Sequence, residues 1–214
     1  MKNSIYIVLI KSLTGLGKFS RTFSNYEYTH ISICLDDELN DFLSFSRRRL
    51  NSLFDAGFTH EYRDYYEFSD NSKFKVKVFK LDVDDDALMD IKEFIDKCNS
   101  NEYIFNIYSM LTMPLFHGFR IYKAYNCMSF VGMIIKKSKV IDMKKPYYKY
   151  DIKEMDELLK GYEFYEGYLN KYNNYHKEYM VKDSFYKKIY DFFKINYLLI
   201  KRIIKYRDRI DEGE

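Results

Sequence analysis

The chain predicts an α+β domain: a small antiparallel sheet packed on a helix that opens with a cysteine, followed by a carboxy-terminal helical appendage. Three features carry that expectation. Strand-length runs rich in β-branched and aromatic residues cover residues 5–10, 28–35, 41–46 and 74–81. Tyr125-Asn126-Cys127-Met128-Ser129-Phe130-Val131 leads into an apolar run through Ile135 that reads as a buried helix. From Asp183 onward, apolar residues at helical spacing are interspersed with lysine and arginine.

Composition supports one sizeable core. Of 214 residues, 47% are hydrophobic, with 23 Tyr, 18 Phe and no Trp. Residues 1–170 are expected to form the domain and 171–214 an amphipathic extension. A net charge of +3 gives no domain-wide basic excess, which argues against nucleic acid as a partner. Cys34, Cys98 and Cys127 form no CxxC pair, which argues against a disulfide framework or zinc ribbon and suits a reducing, cytoplasmic compartment. The apolar run Ile5–Ile10 stops at Lys11 with no small-residue cleavage site, so it reads as a buried strand rather than a signal segment.

In chain order, Thr14-Gly15-Leu16-Gly17 predicts a turn and Lys18 to Phe23 a short helix. Gly15-Leu16-Gly17-Lys18 lacks the spacing of a phosphate loop. Tyr28 to Ser46 reads as a hairpin turning at Asp36–Asn40, which brings Ser44 or Ser46 beside His30. Arg47-Arg48-Arg49 and a loop holding Gly57-Phe58-Thr59-His60-Glu61 precede the alternating strand Phe74–Leu81. Asp82 to Asp86 cap a helix running through Cys98, with Ala87, Leu88, Ile91, Phe94 and Ile95 on one face. A helix from Ile104 to Met113 is expected to stop at Pro114. Lys153–Leu159 and Tyr162–Leu169 read as a helix and a strand.

Cys127 stands where the partial positive charge of a helix N-terminus favours a thiolate over a thiol. His30, at the start of a strand, supplies a base, and a polar residue on the next strand can fix its tautomer. Against this stands the commoner meaning of a lone buried cysteine as a small hydrophobe.

Tyr28-Thr29-His30-Ile31-Ser32-Ile33, then Phe42-Leu43-Ser44-Phe45-Ser46-Arg47, Gly57-Phe58 and Tyr125-Asn126-Cys127-Met128-Ser129-Phe130-Val131 together resemble the circularly permuted NlpC-type papain-like cysteine hydrolases, in which the histidine strand precedes the cysteine helix. The resemblance spans roughly residues 4–170. It implies a permuted papain-like fold, Cys127 as nucleophile, His30 as base and Ser44 in the third position, where YiiX-like relatives carry a glutamate. The implied activity is hydrolysis of an unidentified amide or acyl substrate, without cofactor. Asn126-Cys127 with Phe130 and Val131 also resembles the lecithin retinol acyltransferase group, which implies a lipid-directed alternative on the same Cys-His pair. An inactive binding protein on this fold is the remaining alternative, favoured by the serine in the third position.

The carboxy-terminal helix carries a lysine or arginine roughly every turn and cannot span a bilayer as one apolar segment. Residues 183–207 are expected to pack on the domain or a partner helix, with a membrane surface as the alternative. His60, His117 and His176 show no metal-ligand spacing, and Asp82–Asp86 lack the glycine and spaced oxygens of a calcium loop, so no metal is assigned. Cys34 reads as core, and Arg47–Arg49 as a solvated run that could alternatively receive an anionic group.

Overall fold

The structure is a computed structural model that describes residues 3–11, 26–66, 73–100, 102–170, 176–207 and 209. Its strands are β1 (Asn3–Ile10), β2 (His30–Cys34), β3 (Asp41–Arg47), β4 (Ala56–Tyr62), β5 (Lys73–Val83), β6 (Ile104–Phe105), β7 (Ala124–Tyr125) and β8 (Glu163–Asn170). Its helices are α1 (Asp85–Asn99), α2 (Ile107–Phe116), α3 (Cys127–Ser138), α4 (Ile152–Leu158), α5 (Lys177–Met180) and α6 (Phe185–Lys205). The turn expected at Thr14–Gly17 and the helix expected at Lys18–Phe23 lie outside the described residues.

Six strands form one antiparallel sheet in the order β4-β3-β2-β1-β5-β8. β1 pairs with β2 on one side and β5 on the other, and every residue from Ile5 to Ile10 is buried. Its unbroken apolar run follows from this position, because both of its faces meet apolar clusters. Ile5, Ile7 and Leu9 join Ile31, Ile33, Phe45, Phe79 and Leu81 in the larger core with α1 and α3, while Tyr6, Val8 and Ile10 join Phe42, Tyr66, Val76 and Val78. The fold class is therefore α+β, with the cysteine helix packed on β2 and β3.

The expected hairpin forms, with Ile33 opposite Leu43. The segment read as a loop around Gly57 is instead strand β4, paired with β3 along its whole length from Asp41↔Tyr62 to Arg47↔Ala56. Asp84 caps α1, its carboxylate accepting from the Ala87 N–H at 2.7 Å. Ile104 and Phe105 are not helical; they pair in parallel with Ala124 and Tyr125. α2 runs past Pro114 to Phe116, because a proline removes one helical donor without forcing the next turn open. It stops where His117 takes a left-handed backbone (φ 50°) and donates its N–H to the Met113 carbonyl at 3.0 Å.

The carboxy-terminal segment docks back on the domain. Ile195 and Leu199 of α6 are buried in the main core, Phe192 meets Phe54 edge-on at 4.9 Å, and the Tyr108 hydroxyl donates to Asn196 at 2.5 Å. The Asp183 carboxylate, just before α6, accepts from Arg49 and Ser52, and the Arg202 guanidinium donates to the Tyr122 carbonyl at 3.0 Å.

α3 lies so close to the 3-10 turn Tyr147–Lys149 that a Cβ at position 132 would stand 2.4 Å from the Tyr147 carbonyl oxygen. Gly132→Ala is therefore expected to destabilise the protein by about 1–3 kcal/mol, the usual cost of overpacking a filled core. Urea unfolding at neutral pH checks it; an unchanged midpoint would show that this approach is not tight.

Candidate active site

Cys127 is the first residue of α3, and the chain on either side of it is fixed tightly. Tyr125, in β7, is buried against the rings of Phe45, Phe94, Tyr103 and Tyr147. Asn126 caps the helix: its side-chain oxygen accepts from the Ser129 N–H at 2.9 Å, and its own N–H donates to the Ser129 hydroxyl at 3.0 Å. This reciprocal box consumes the donor of the third helical residue and leaves the amides of Cys127 and Met128 outside the helical ladder. Cys127 is 9% exposed, recessed but reachable.

His30 opens β2, opposite Ile10 of β1. Its Nε2 lies 2.8 Å from Glu61 Oε2, and the Cys127 side chain is close enough to the ring to raise its proton affinity. The His30 side chain is 13% exposed and that of Glu61 6%. Glu61 comes from β4, and its carboxylate accepts from the Ser46 hydroxyl at 2.5 Å and from the Tyr66 hydroxyl at 2.5 Å. Ser46 in turn bonds Thr59 at 3.0 Å. The result is a chain of polar side chains, Ser46 and Tyr66 to Glu61 to His30 to Cys127, set into an otherwise apolar sheet.

The orienting role expected of Ser44 falls to Glu61. Ser44 is fully buried and donates to the Ile31 carbonyl at 3.1 Å, so its hydroxyl serves the β2 backbone and not the His30 ring. Pairing of β3 with β4 sets Glu61 opposite Phe42, and it is the longer reach of the glutamate that spans to the ring. Sequence reading placed Glu61 in a loop and so missed it. The available signal was the alternation that puts Gly57, Thr59 and Glu61 on one strand face and Ala56, Phe58 and His60 on the other.

Burial works against charge on His30, but the facing Glu61 carboxylate and the hydrogen bonds to Cys127 and Glu61 outweigh it and hold the imidazole above its ordinary range. Burial likewise works against a charged Glu61, and the His30 charge together with donors from His30, Ser46 and Tyr66 holds that carboxyl below its ordinary range. The Tyr66 phenol is pushed far up by burial and by Glu61, so it stays protonated as a donor. An imidazole held against a carboxylate and close to a thiol can take the thiol's proton, becoming an imidazolium that the carboxylate stabilises, and return that proton to a leaving group.

The other candidates have structural partners. Cys34 donates to the Asp41 carbonyl at 2.9 Å and is raised to about 12, mainly by burial. His60 pairs with Asp41 at 2.8 Å and His176 with Asp64 at 2.9 Å, the latter ring stacked on Tyr62. Arg47 donates to the Leu50 carbonyl, Arg48 pairs with Asp55, and Arg49 with Asp183. Asp55, Asp183 and Asp191 gather at metal-like spacing, but Lys187 Nζ lies 3.2, 3.6 and 2.6 Å from them in that order and already supplies the counter-charge.

The ionic pair sets a pH dependence. Glu61, depressed in the folded state, contributes stability above its unfolded value near 4.5 and loses it as pH falls through the lower folded value. His30, raised in the folded state, contributes below its unfolded value near 6.5 and loses it as pH rises through the higher folded value. Glu61→Gln should cost about 3 kcal/mol in the window between those values and less on either side. It should also move the His30 titration, followed by NMR of the ring, down toward the ordinary imidazole range. A His30 titration unchanged by the substitution would remove Glu61 from the site.

Comparison of the chain with protein-family models, with curated proteins and with solved structures gives no match.

Proposed function

We propose that the protein is a thiol hydrolase in which Cys127 attacks an amide or related acyl carbonyl, His30 transfers the protons, and Glu61 orients and charges His30. The observation that carries this reading is the buried, hydrogen-bonded Glu61 that holds Nε2 of a His30 ring whose proton affinity the nearby helix-terminal Cys127 also raises. Burying such a pair is costly unless each member is satisfied, and here three donors satisfy the carboxylate. Glu61 brings from β4 a carboxylate like the one that YiiX-like relatives carry at the position of Ser44, which supports the active reading over an inactive binding protein.

The Cys127 thiol passes its proton to His30 and the sulfur attacks the carbonyl carbon, whose π electrons move to oxygen. The free amides at the start of α3 offer donors for that oxyanion. Collapse of the oxyanion expels the leaving group, which takes the proton from His30 and leaves a thioester on Cys127. Water then loses a proton to His30 as it attacks the thioester, and the thiol is restored as the acid product leaves.

A second reading keeps these steps and takes the acyl group from a lipid. The outward apolar face of α6 favours it. Incubating the protein with phospholipid vesicles and, separately, with acyl-amide peptides, and following acyl release, distinguishes the two.

At neutral pH an alkylating electrophile such as iodoacetamide should label Cys127 first, ahead of Cys34 and Cys98, as mapped by mass spectrometry. His30→Ala should slow that labelling by roughly 100-fold, in line with the usual contribution of a positioned base. Equal rates for wild type and His30→Ala would refute the activated pair. Ser44→Ala should leave the rate within about twofold while costing about 1 kcal/mol of stability, the price of one buried hydrogen bond. Glu61→Gln should slow labelling clearly, and the contrast with Ser44→Ala decides which residue orients His30.

A further inference from the structure

The same helix that docks the carboxy-terminal segment on the domain leaves its outer side without a partner. Ile195 and Leu199 face inward, and at about 100° per residue Ile189, Ile200, Phe193, Ile204, Tyr197 and Tyr190 fall within an arc of roughly 100° on the opposite side. All six are exposed, with Phe193 at 65%, Tyr197 at 64% and Ile204 at 77%. A shallow groove lined by Tyr197, Ile200, Lys201, Ile204 and Lys205 runs along this face. Lys201, Lys194 and Lys205 form the next row around the helix, bordering the apolar arc.

The charges on this border differ from those on the docked side. Lys187 turns inward to Asp55 and Asp191. Lys194, Lys201 and Lys205 make no ion pair among the described residues, and Lys194 and Lys201 lie 5.8 Å over the rings of Tyr190 and Tyr197. Unpaired ammonium groups beside a broad strip of aliphatic and aromatic side chains complement a surface that is apolar below and anionic above. A helix-pairing seam would be narrower than this arc. No described helix is long and apolar enough to cross a membrane, so the geometry is that of a helix lying in the interface plane.

We propose that the outer face of α6 docks the protein on an anionic phospholipid surface, the apolar arc entering the acyl boundary and Lys194, Lys201 and Lys205 contacting phosphate and carboxylate headgroups. This surface stands on its own geometry and does not depend on the thiol chemistry.

The full-length chain is sedimented with phosphatidylcholine vesicles with and without phosphatidylserine. Pelleting with the phosphatidylserine vesicles alone, weakened by added salt, is expected. Reversing the row with Lys194→Glu, Lys201→Glu and Lys205→Glu should weaken that binding by at least about 100-fold, since each lysine near an anionic surface contributes roughly fivefold. Phe193→Ser with Ile200→Ser should also weaken it, and Cys127→Ala should leave it unchanged; circular dichroism confirms that each variant is folded. A chain that stays in the supernatant with both vesicle types, or a lysine-reversed variant that pellets like wild type, overturns the proposal. So does a concentration-dependent dimer abolished by Phe193→Ser, which would assign the face to a second copy.

Discussion

The buried pairing of Glu61 with His30 is the constraint to which the rest of the site is fitted. A carboxylate this deep survives only if its lone pairs are used, and the Ser46 hydroxyl, the Tyr66 hydroxyl and the His30 ring use them. Each of these donors comes from a different piece of backbone: β3, the 3-10 turn Arg63–Tyr66, and β2. The pair therefore requires the β2-β3-β4 order and its register, and in return a slip of register would strand a charge inside the sheet. His30 gains its raised proton affinity from the same arrangement, so the electrostatics of the site and the pairing of the strands are one problem with one solution.

Against this rigid sheet the fold sets the start of a helix. α3 has apolar residues on nearly every side because β2, β3, α1 and the 3-10 turn at Tyr147–Lys149 all cover it. Gly132 permits the closest of these approaches. The reciprocal cap of Asn126 and Ser129, itself buried, fixes the first turn so that Cys127 stays near the mouth of the cluster. The cysteine is thus presented by a scaffold that has little freedom to move it, which is the condition under which a positioned thiol and base can act together.

Beyond the site, α6 divides its residues between two tasks. Its inward residues close the core and its charged residues on that side neutralise Asp55 and Asp191, while its outward residues meet solvent with an apolar arc. An amphipathic pattern in sequence does not say which side is docked. Here the apolar stripe is wider than the strip that the domain covers, and the surplus is what distinguishes this helix from an ordinary core-packing one.

Local periodicity and capping chemistry suffice to specify the strand runs 5–10, 28–35, 41–46 and 74–81, the helix capped by the aspartates before Ala87, the strand at 162–169 and the cysteine helix. The sequence also singled out Cys127 and His30. Tertiary structure alone decided that residues 56–62 form a strand, because Gly57 reads as a break until the full β3 partner is alongside. It decided that Ser44 serves the Ile31 carbonyl while Glu61 reaches His30, since which of several polar residues meets a ring depends on register and on side-chain length across two strands. It decided, too, which face of α6 is covered. Local pattern fixes what an element is; only packing fixes what its side chains touch.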